Sequence, residues 1–346
     1  MKEHRLLKLL ESLKNVRAAI LGDVCLDAYW YADMRRSELS RETPHYNRPV
    51  YRESYSGGAL ANVASNLASL GVGRITIFTI LGQDWRGQIL KGILENQNID
   101  TSKIIFSDNR LTPMFLKPML EGYQTTQEAP RYDFLTDHPP ERESTERLAR
   151  SLSGALEEFD CVLLGDQVPD GIITTELIER LAELAERQER VFFTADSRYR
   201  IEQFRHMVWK PNDIEAAKAL GVSSISSGTG KRREADRQEA VRNLLKMGAR
   251  MVFMTLGKEG CVATDGSGAV HVPGFKVPPP LDFVGAGDAF HAAIAASLAA
   301  GSTAEEAAFM GNLAASITVA KIETTGTASP EEILSQYRKH AAGGSD

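Results

Sequence analysis

The feature that most constrains this chain is the alternation of short apolar runs with helix-like segments over most of its length. Residues 16–21, 75–81, 161–164, 191–195, 207–209 and 251–255 are strand-like, rich in aliphatic and β-branched side chains. Between them lie helix-like segments at 59–70 (closed by Gly71), 86–96, 141–159, 171–187, 212–220 and 234–247. Strands that alternate with helices predict a mainly parallel sheet with helices on both faces. Asp265-Gly266, between 261–264 and 269–272, predicts a hairpin. Three mostly helical segments close the chain.

Two stretches break the alternation. Residues 27–55 and 105–134 carry aromatic, β-branched and proline residues without helical period. They read as extended segments of a small second sheet, a lid over the C-terminal edge of the main one, where open α/β sheets bind ligands. The other reading is two long surface loops. Residues 223–230 (SSISSGTG) read as a flexible linker.

The net charge of −6 is spread along all 346 residues. That argues against nucleic acid or a membrane surface as the main partner. No apolar run reaches the length of a membrane span. The start of the chain lacks the apolar core of a signal peptide. Cys25, Cys161 and Cys261 are far apart and lie in or beside strand-like runs. Buried free thiols in a cytoplasmic protein are expected.

Four local patterns carry chemistry. Asp282-Phe283-Val284-Gly285-Ala286-Gly287-Asp288 follows a proline-rich loop and opens into a small-residue helix. Gly285, Ala286 and Gly287 let the backbone approach a ligand, and the helix start offers unsatisfied N–H groups. Asp288 beside that anion hole suits proton removal from a hydroxyl during phosphoryl transfer. A helix cap with packing glycines is the plainer alternative. Gly57-Gly58, followed by Asn62 one turn into a helix, reads as close backbone approach to a ligand or as a packed helix start. Asn212 and Glu215 read as a capping box or as groups near phosphate-bound Mg²⁺. Thr255-Leu256-Gly257-Lys258-Glu259-Gly260 is a turn or a phosphate-facing loop. Asp23 and Asp27, after the first strand, are able to accept hydrogen bonds from sugar hydroxyls.

In this order and spacing the patterns resemble the ribokinase-like (PfkB) carbohydrate kinases over about 16–336. The resemblance implies a three-layer α/β/α sandwich with a mostly parallel sheet and a small β lid, a single kinase domain over 1–346. It implies ATP and Mg²⁺ as cofactors, and Asp288 as general base. It places Asn212 and Glu215 at phosphates and metal, and Thr255, Gly257 and Gly260 at the nucleotide. Asn312 would lie near adenine, and Asp23, Asp27, Gly57, Gly58 and Asn62 at the sugar. Many members respond to K⁺; Asp282, Val284 and 323–327 would form such a site. Lid strands pair across a homodimer in many members, which makes 27–55 the expected contact.

Within the family the chain is most similar to D-glycero-β-D-manno-heptose 7-phosphate kinases, the kinase part of ADP-heptose synthases. The matching runs are Gly22 to Tyr31, Glu42-Thr43-Pro44 and the lid-like stretch from Thr112-Pro113 to Asp133. The second domain of the bifunctional members is expected to be missing. Phe283, the shifted lid segment and Asp196-Ser197-Arg198 depart from that subgroup. A substrate with its own phosphate would need a basic partner, for which Lys117, Arg131 and Arg198 are the candidates. A kinase of another sugar phosphate or of a nucleoside, and a non-catalytic sugar- or nucleotide-binding regulator, are the alternatives.

Overall fold

The computed structural model describes residues 1–226, 230–322 and 325–343. The chain runs through α1 (Glu3–Leu13), β1 (Arg17–Gly22), β2 (Val24–Asp33), β3 (Val50–Ala59), α2 (Leu60–Ser69), β4 (Arg74–Gly82), α3 (Trp85–Asn96) and β5 (Asp100–Ser107). Then come β6 (Met114–Glu121), β7 (Thr126–Glu128), β8 (Tyr132–Phe134), α4 (Arg142–Ala155), β9 (Cys161–Asp166), α5 (Thr175–Arg187), β10 (Phe192–Ser197) and β11 (Val208–Trp209). The last part holds α6 (Asp213–Ala219), α7 (Gly230–Lys246), β12 (Met251–Thr255), β13 (Cys261–Thr264), β14 (Ala269–Val272), α8 (Ala286–Ala299), α9 (Ala304–Thr318) and α10 (Pro330–Gly343).

Nine strands form the main sheet in the order β14-β13-β12-β11-β10-β9-β1-β4-β5. The strands from β12 to β5 are parallel; the hairpin β13–β14 adds an antiparallel edge. Strand alternation splits the core into two faces. On β1, Ala18 and Ile20 pack in one cluster with residues of α1, α2, α8 and α9. Ala19 and Leu21 pack in the other with residues of α4, α5, α6 and α7. Helix α1 follows the same logic: Leu6, Leu9, Leu10 and Leu13 recur at helical spacing and all are buried, while Leu7 faces out.

The extended segments build a second sheet, β3-β2-β6-β7, with β8 also on β6. Residues 105–107 belong instead to β5 of the main sheet, where Ile105, Phe106 and Ser107 pair with Ile80, Leu81 and Gly82 of β4. Strand β2 leaves the C-terminal end of β1 after one residue, so the small sheet rises from the edge where ligands bind. Register puts Asp27 beside Ser56 and Phe115, and Tyr29 beside Ser54 and Lys117, on one face. Trp30, Leu116 and Pro118 lie on the other. Within 223–230, α7 already begins at Gly230, and 227–229 lie outside the described residues.

The C-terminal ends of β1 and β9 come together under α2. Gly22 and Gly165 face each other across this pair. A Cβ on Gly165 would stand 2.6 Å from Leu60 Cγ, and one on Gly22 would stand 2.4 Å from the Gly165 carbonyl oxygen. Leu60, the first residue of α2, sits in the space those two missing side chains leave. Among the described residues no helix is long and apolar enough to cross a membrane. All three cysteines are buried and free, and burial raises their pKa, which keeps the thiols unreactive.

Candidate active site

Helix α8 is apolar nearly all round and buried from Ala289 to Leu298. Its start breaks that pattern. Gly285 takes φ +78 as N-cap, a left-handed conformation that favours glycine, and a Cβ there would stand 2.6 Å from Thr325 Cγ2. No side chain caps this end. Ala286 N donates to the Phe283 carbonyl at 3.3 Å, and the N–H groups of Gly287 and Asp288 stay open to an anion. Asp288, on that first turn, receives a 3.3 Å hydrogen bond from Asn62 Nδ2 of α2. Two motifs 226 residues apart in sequence thus meet side chain to side chain.

Beneath them lies a buried ion pair. Lys210 Nζ is 3.1 Å from Asp196 Oδ2, and both side chains are under a tenth exposed. Gln167 Nε2 donates to the same Asp196 oxygen at 3.2 Å. A Cβ on Gly287 would stand 3.7 Å from Lys210 Nζ, so the cation sits directly under the open turn. Burial, then the charge of Asp196, lifts the Asp288 pKa to about 6, against the pull of Lys210. Burial works against the charge on Lys210, but Asp196, Glu215 and Asp288 outweigh it and hold its pKa above the ordinary value. Lys210, Asp196 and Gln167 escaped sequence reasoning. The one signal was their position, at or just after the C-terminal ends of strands.

Asn212 and Glu215 form the reciprocal capping box of α6: the Asn212 side chain accepts from Glu215 N, and Glu215 Oε2 accepts from Asn212 N. Burial first and the charge of Asp196 second raise the Glu215 pKa. Its Oε1 takes no hydrogen bond among the described residues. Thr255 ends β12 and bridges to Asn212, and Gly257 to Gly260 turn beside it. Asn312 is buried in α9, where its amide donates to the carbonyls of Val272 (2.9 Å) and Pro273 (3.2 Å). Its donors hold the exit of β14.

On the lid side, the Asp27 carboxylate rests against Gly58, where a Cβ would stand 2.8 Å from Oδ2. Gly57 precedes it at the end of β3. Burial raises the Asp27 pKa, opposed by the charges of Lys117 and Arg131. Lys117 Nζ donates to the Tyr29 hydroxyl at 3.0 Å. Arg131 forks onto Asp133 and lies over the Phe115 ring. Arg198 is exposed. Asp23 is buried: Oδ1 accepts from Ile172 N at 3.0 Å, and Oδ2 has no partner among the described residues. Its pKa rises to about 7, first through burial. Arg110 was not anticipated. It is 7% exposed, its Nε and Nη1 have no partner among the described residues, and its charge acts on Asp23. A guanidinium does not shed its proton when buried. Asp282 Oδ1 accepts from Val284 N, and of the expected 323–327 strip residues 323 and 324 lie outside the described residues. Among the described residues no three His, Cys, Asp or Glu side chains converge as metal ligands.

Comparison with known proteins gives the family and the fold. The family model for pfkB family carbohydrate kinases matches residues 18–332. The chain belongs to this family. The kinase is 29% identical over 334 residues to the bifunctional protein HldE of Trichlorobacter lovleyi, covering 94% of this chain and 65% of that protein. HldE of a Caulobacter species is also 29% identical, over 338 residues, with 97% and 66% covered. The kinase thus spans about two-thirds of the length of these curated relatives. Its fold matches Escherichia coli phosphofructokinase-2 in complex with potassium, at TM-score 0.70 and 19% identity, covering 94% of this chain and 99% of that one. It also matches Arabidopsis thaliana ribokinase complexed with ribose and ATP, at TM-score 0.67 and 17% identity, covering 93% and 98%. The three-layer ribokinase-like fold and the phosphotransferase class expected from the motifs hold.

Proposed function

We propose that this kinase moves the γ-phosphoryl group of ATP to a hydroxyl of a phosphorylated sugar, with Asp288 as general base. The observation that carries this reading is the Asp288–Asn62 contact at an open helix start, directly above the buried Lys210–Asp196 pair. Asp288 takes the proton of the attacking hydroxyl. Of the N–H groups of Gly285 to Asp288, Ala286 N is engaged by the Phe283 carbonyl, so those of Gly285, Gly287 and Asp288 receive charge on the transferring group, and Lys210 lies within reach of the same space. Phosphoryl transfer needs little beyond such positioning and charge neutralisation. Asp27, Asn62 and the Gly57-Gly58 backbone hold sugar hydroxyls. Thr255, Gly257 and Gly260 line the nucleotide. Asn312 acts at one remove, by fixing the strand end beside the adenine.

Glu215 fits a hydrated Mg²⁺, since a hard cation takes carboxylate oxygen and Oε1 is free to accept from its water. Mg²⁺ would supply charge neutralisation on the phosphates. K⁺ would sit at Asp282 and the Val284 backbone.

Arg110 supports a phosphorylated acceptor. It is a buried permanent cation whose Nε and Nη1 have no hydrogen-bond partner among the described residues, with Asp23 the acid its charge acts on. Lys117, held by the Tyr29 hydroxyl, is the candidate on the lid; Arg131, paired with Asp133, is the weaker one, and Arg198 stands in the open. Heptose 7-phosphate is the first acceptor to test, supported by the runs Gly22 to Tyr31 and by the HldE relatives. The test is Mg·ATP-dependent ADP release over heptose 7-phosphate, sedoheptulose 7-phosphate, fructose 6-phosphate, ribose, fructose and adenosine, with and without K⁺. Turnover on phosphorylated acceptors, with KM raised about 10-fold or more in Arg110→Gln, is expected, the size of one lost charged contact. Preference for ribose or adenosine would discard the phosphate reading. Silence on all, with ATP bound, would favour a binding regulator.

We also read 1–346 as one kinase domain that dimerises through its lid. Trp30, Leu116, Pro118 and Phe134 line an apolar hollow on the outer face of the small sheet, with Val50 and Tyr132 exposed at its rim. Trp30→Glu is expected to leave a single melting transition and convert a dimer into a monomer in sedimentation velocity. A wild-type monomer would end the dimer proposal.

A further inference from the structure

Glu259 stands in the Gly257–Glu259 turn. An acid is a poor neighbour for nucleotide phosphates, because like charges repel at close range. Its carboxylate is drawn away toward α7. Arg237 Nη1 donates to Oε2 at 2.9 Å and Nη2 to Oε1 at 3.1 Å. Arg233 Nη2 adds a third bond to Oε2 at 2.6 Å. The Arg237 side chain is only 8% exposed. The Glu259 carbonyl is tied too, at 2.8 Å from His271 Nε2 of β14. The hydrogen bonds from Arg237 hold the Glu259 pKa below its usual value, so the group stays ionised and clamped. A two-pronged fork fixes direction as well as distance. The far side of the turn abuts α6, through the bridge between Thr255 and Asn212.

We propose that Arg237, assisted by Arg233, is a positioning residue for the nucleotide. It turns Glu259 away from the phosphates, neutralises it, and pins the turn between α6 and α7. This rests on the reading that the nucleotide lies at that turn. Without the fork only Arg233 still holds Glu259, on one oxygen, and the carboxylate is able to turn toward the phosphates.

The test is calorimetric binding of Mg·ATP to the full chain without acceptor. Arg237→Met is expected to raise the Kd about tenfold, the worth of a charged hydrogen-bonded pair. Arg237→Lys keeps the charge and stem but not the fork, and gives a smaller rise. Adding Glu259→Gln to Arg237→Met removes the freed acid, and the Kd returns to within about threefold of wild type, leaving only the lost anchoring. A purely structural role predicts the reverse, two losses that add. Gly257→Val serves as the control for location. If it weakens ATP binding while Arg237→Met does not, the positioning role is overturned and the nucleotide site stands. If Gly257→Val leaves the Kd unchanged, the nucleotide lies elsewhere and both fall.

Discussion

Asp288→Asn is expected to lower kcat by about 10²- to 10⁴-fold, the usual weight of a general base, while ATP binding persists. The asparagine keeps the shape and its contact with Asn62 but accepts no proton. Near-normal turnover would remove Asp288 from the mechanism. Stability separates this from a folding defect. Asp288 has a folded pKa of about 6 against an ordinary 3.8, so the folded chain holds this proton more tightly than the unfolded one. Its contribution to stability therefore falls as pH rises from about 4 to 6, and the ionised acid is a cost at neutral pH. Removing that charge is expected to leave the melting temperature unchanged or raised. In the wild type the same pKa sets an acid limb: kcat/KM climbs with pH to about 6 and then levels.

Lys210→Met is expected to be costly in a different way. It strands Asp196, whose only other side-chain contact described above is Gln167. Breaking a buried pair from one side destabilises by about 3–5 kcal/mol, because an uncompensated charge remains inside. Lys210 also lowers the Asp288 pKa, so its loss moves the acid limb to higher pH. Chemical denaturation measures the first effect and a pH–rate profile the second. An unshifted limb in a folded variant would show that Lys210 does not act on Asp288.

The strands and the β13–β14 hairpin were legible because period and turn chemistry are local properties of the chain. So was the Asp288 turn, whose glycine, acid and helix are contiguous. What escaped depends on tertiary partners. Nothing near Lys210 in sequence announces Asp196, fourteen residues earlier, as its counter-ion. Arg110 looks like loop charge until burial strips its partners. Arg131 is a candidate for a substrate phosphate in the sequence, and the structure adds that Asp133 two residues on pairs with it. Asn212 and Glu215 form the capping box that their spacing announces, and the box leaves Glu215 Oε1 without a hydrogen bond among the described residues.

The seat beneath Leu60 bears on any attempt to change what this enzyme accepts. Libraries built by choosing residues close to a docked sugar would include Asp27, Asn62 and Lys117 and pass over Gly22 and Gly165. Yet a single methyl group at either glycine would push up the first turn of α2 and carry Asn62 off Asp288. Tolerance to substitution here follows the packing under the helix rather than distance from the substrate, so those two positions belong among the fixed ones in a redesign.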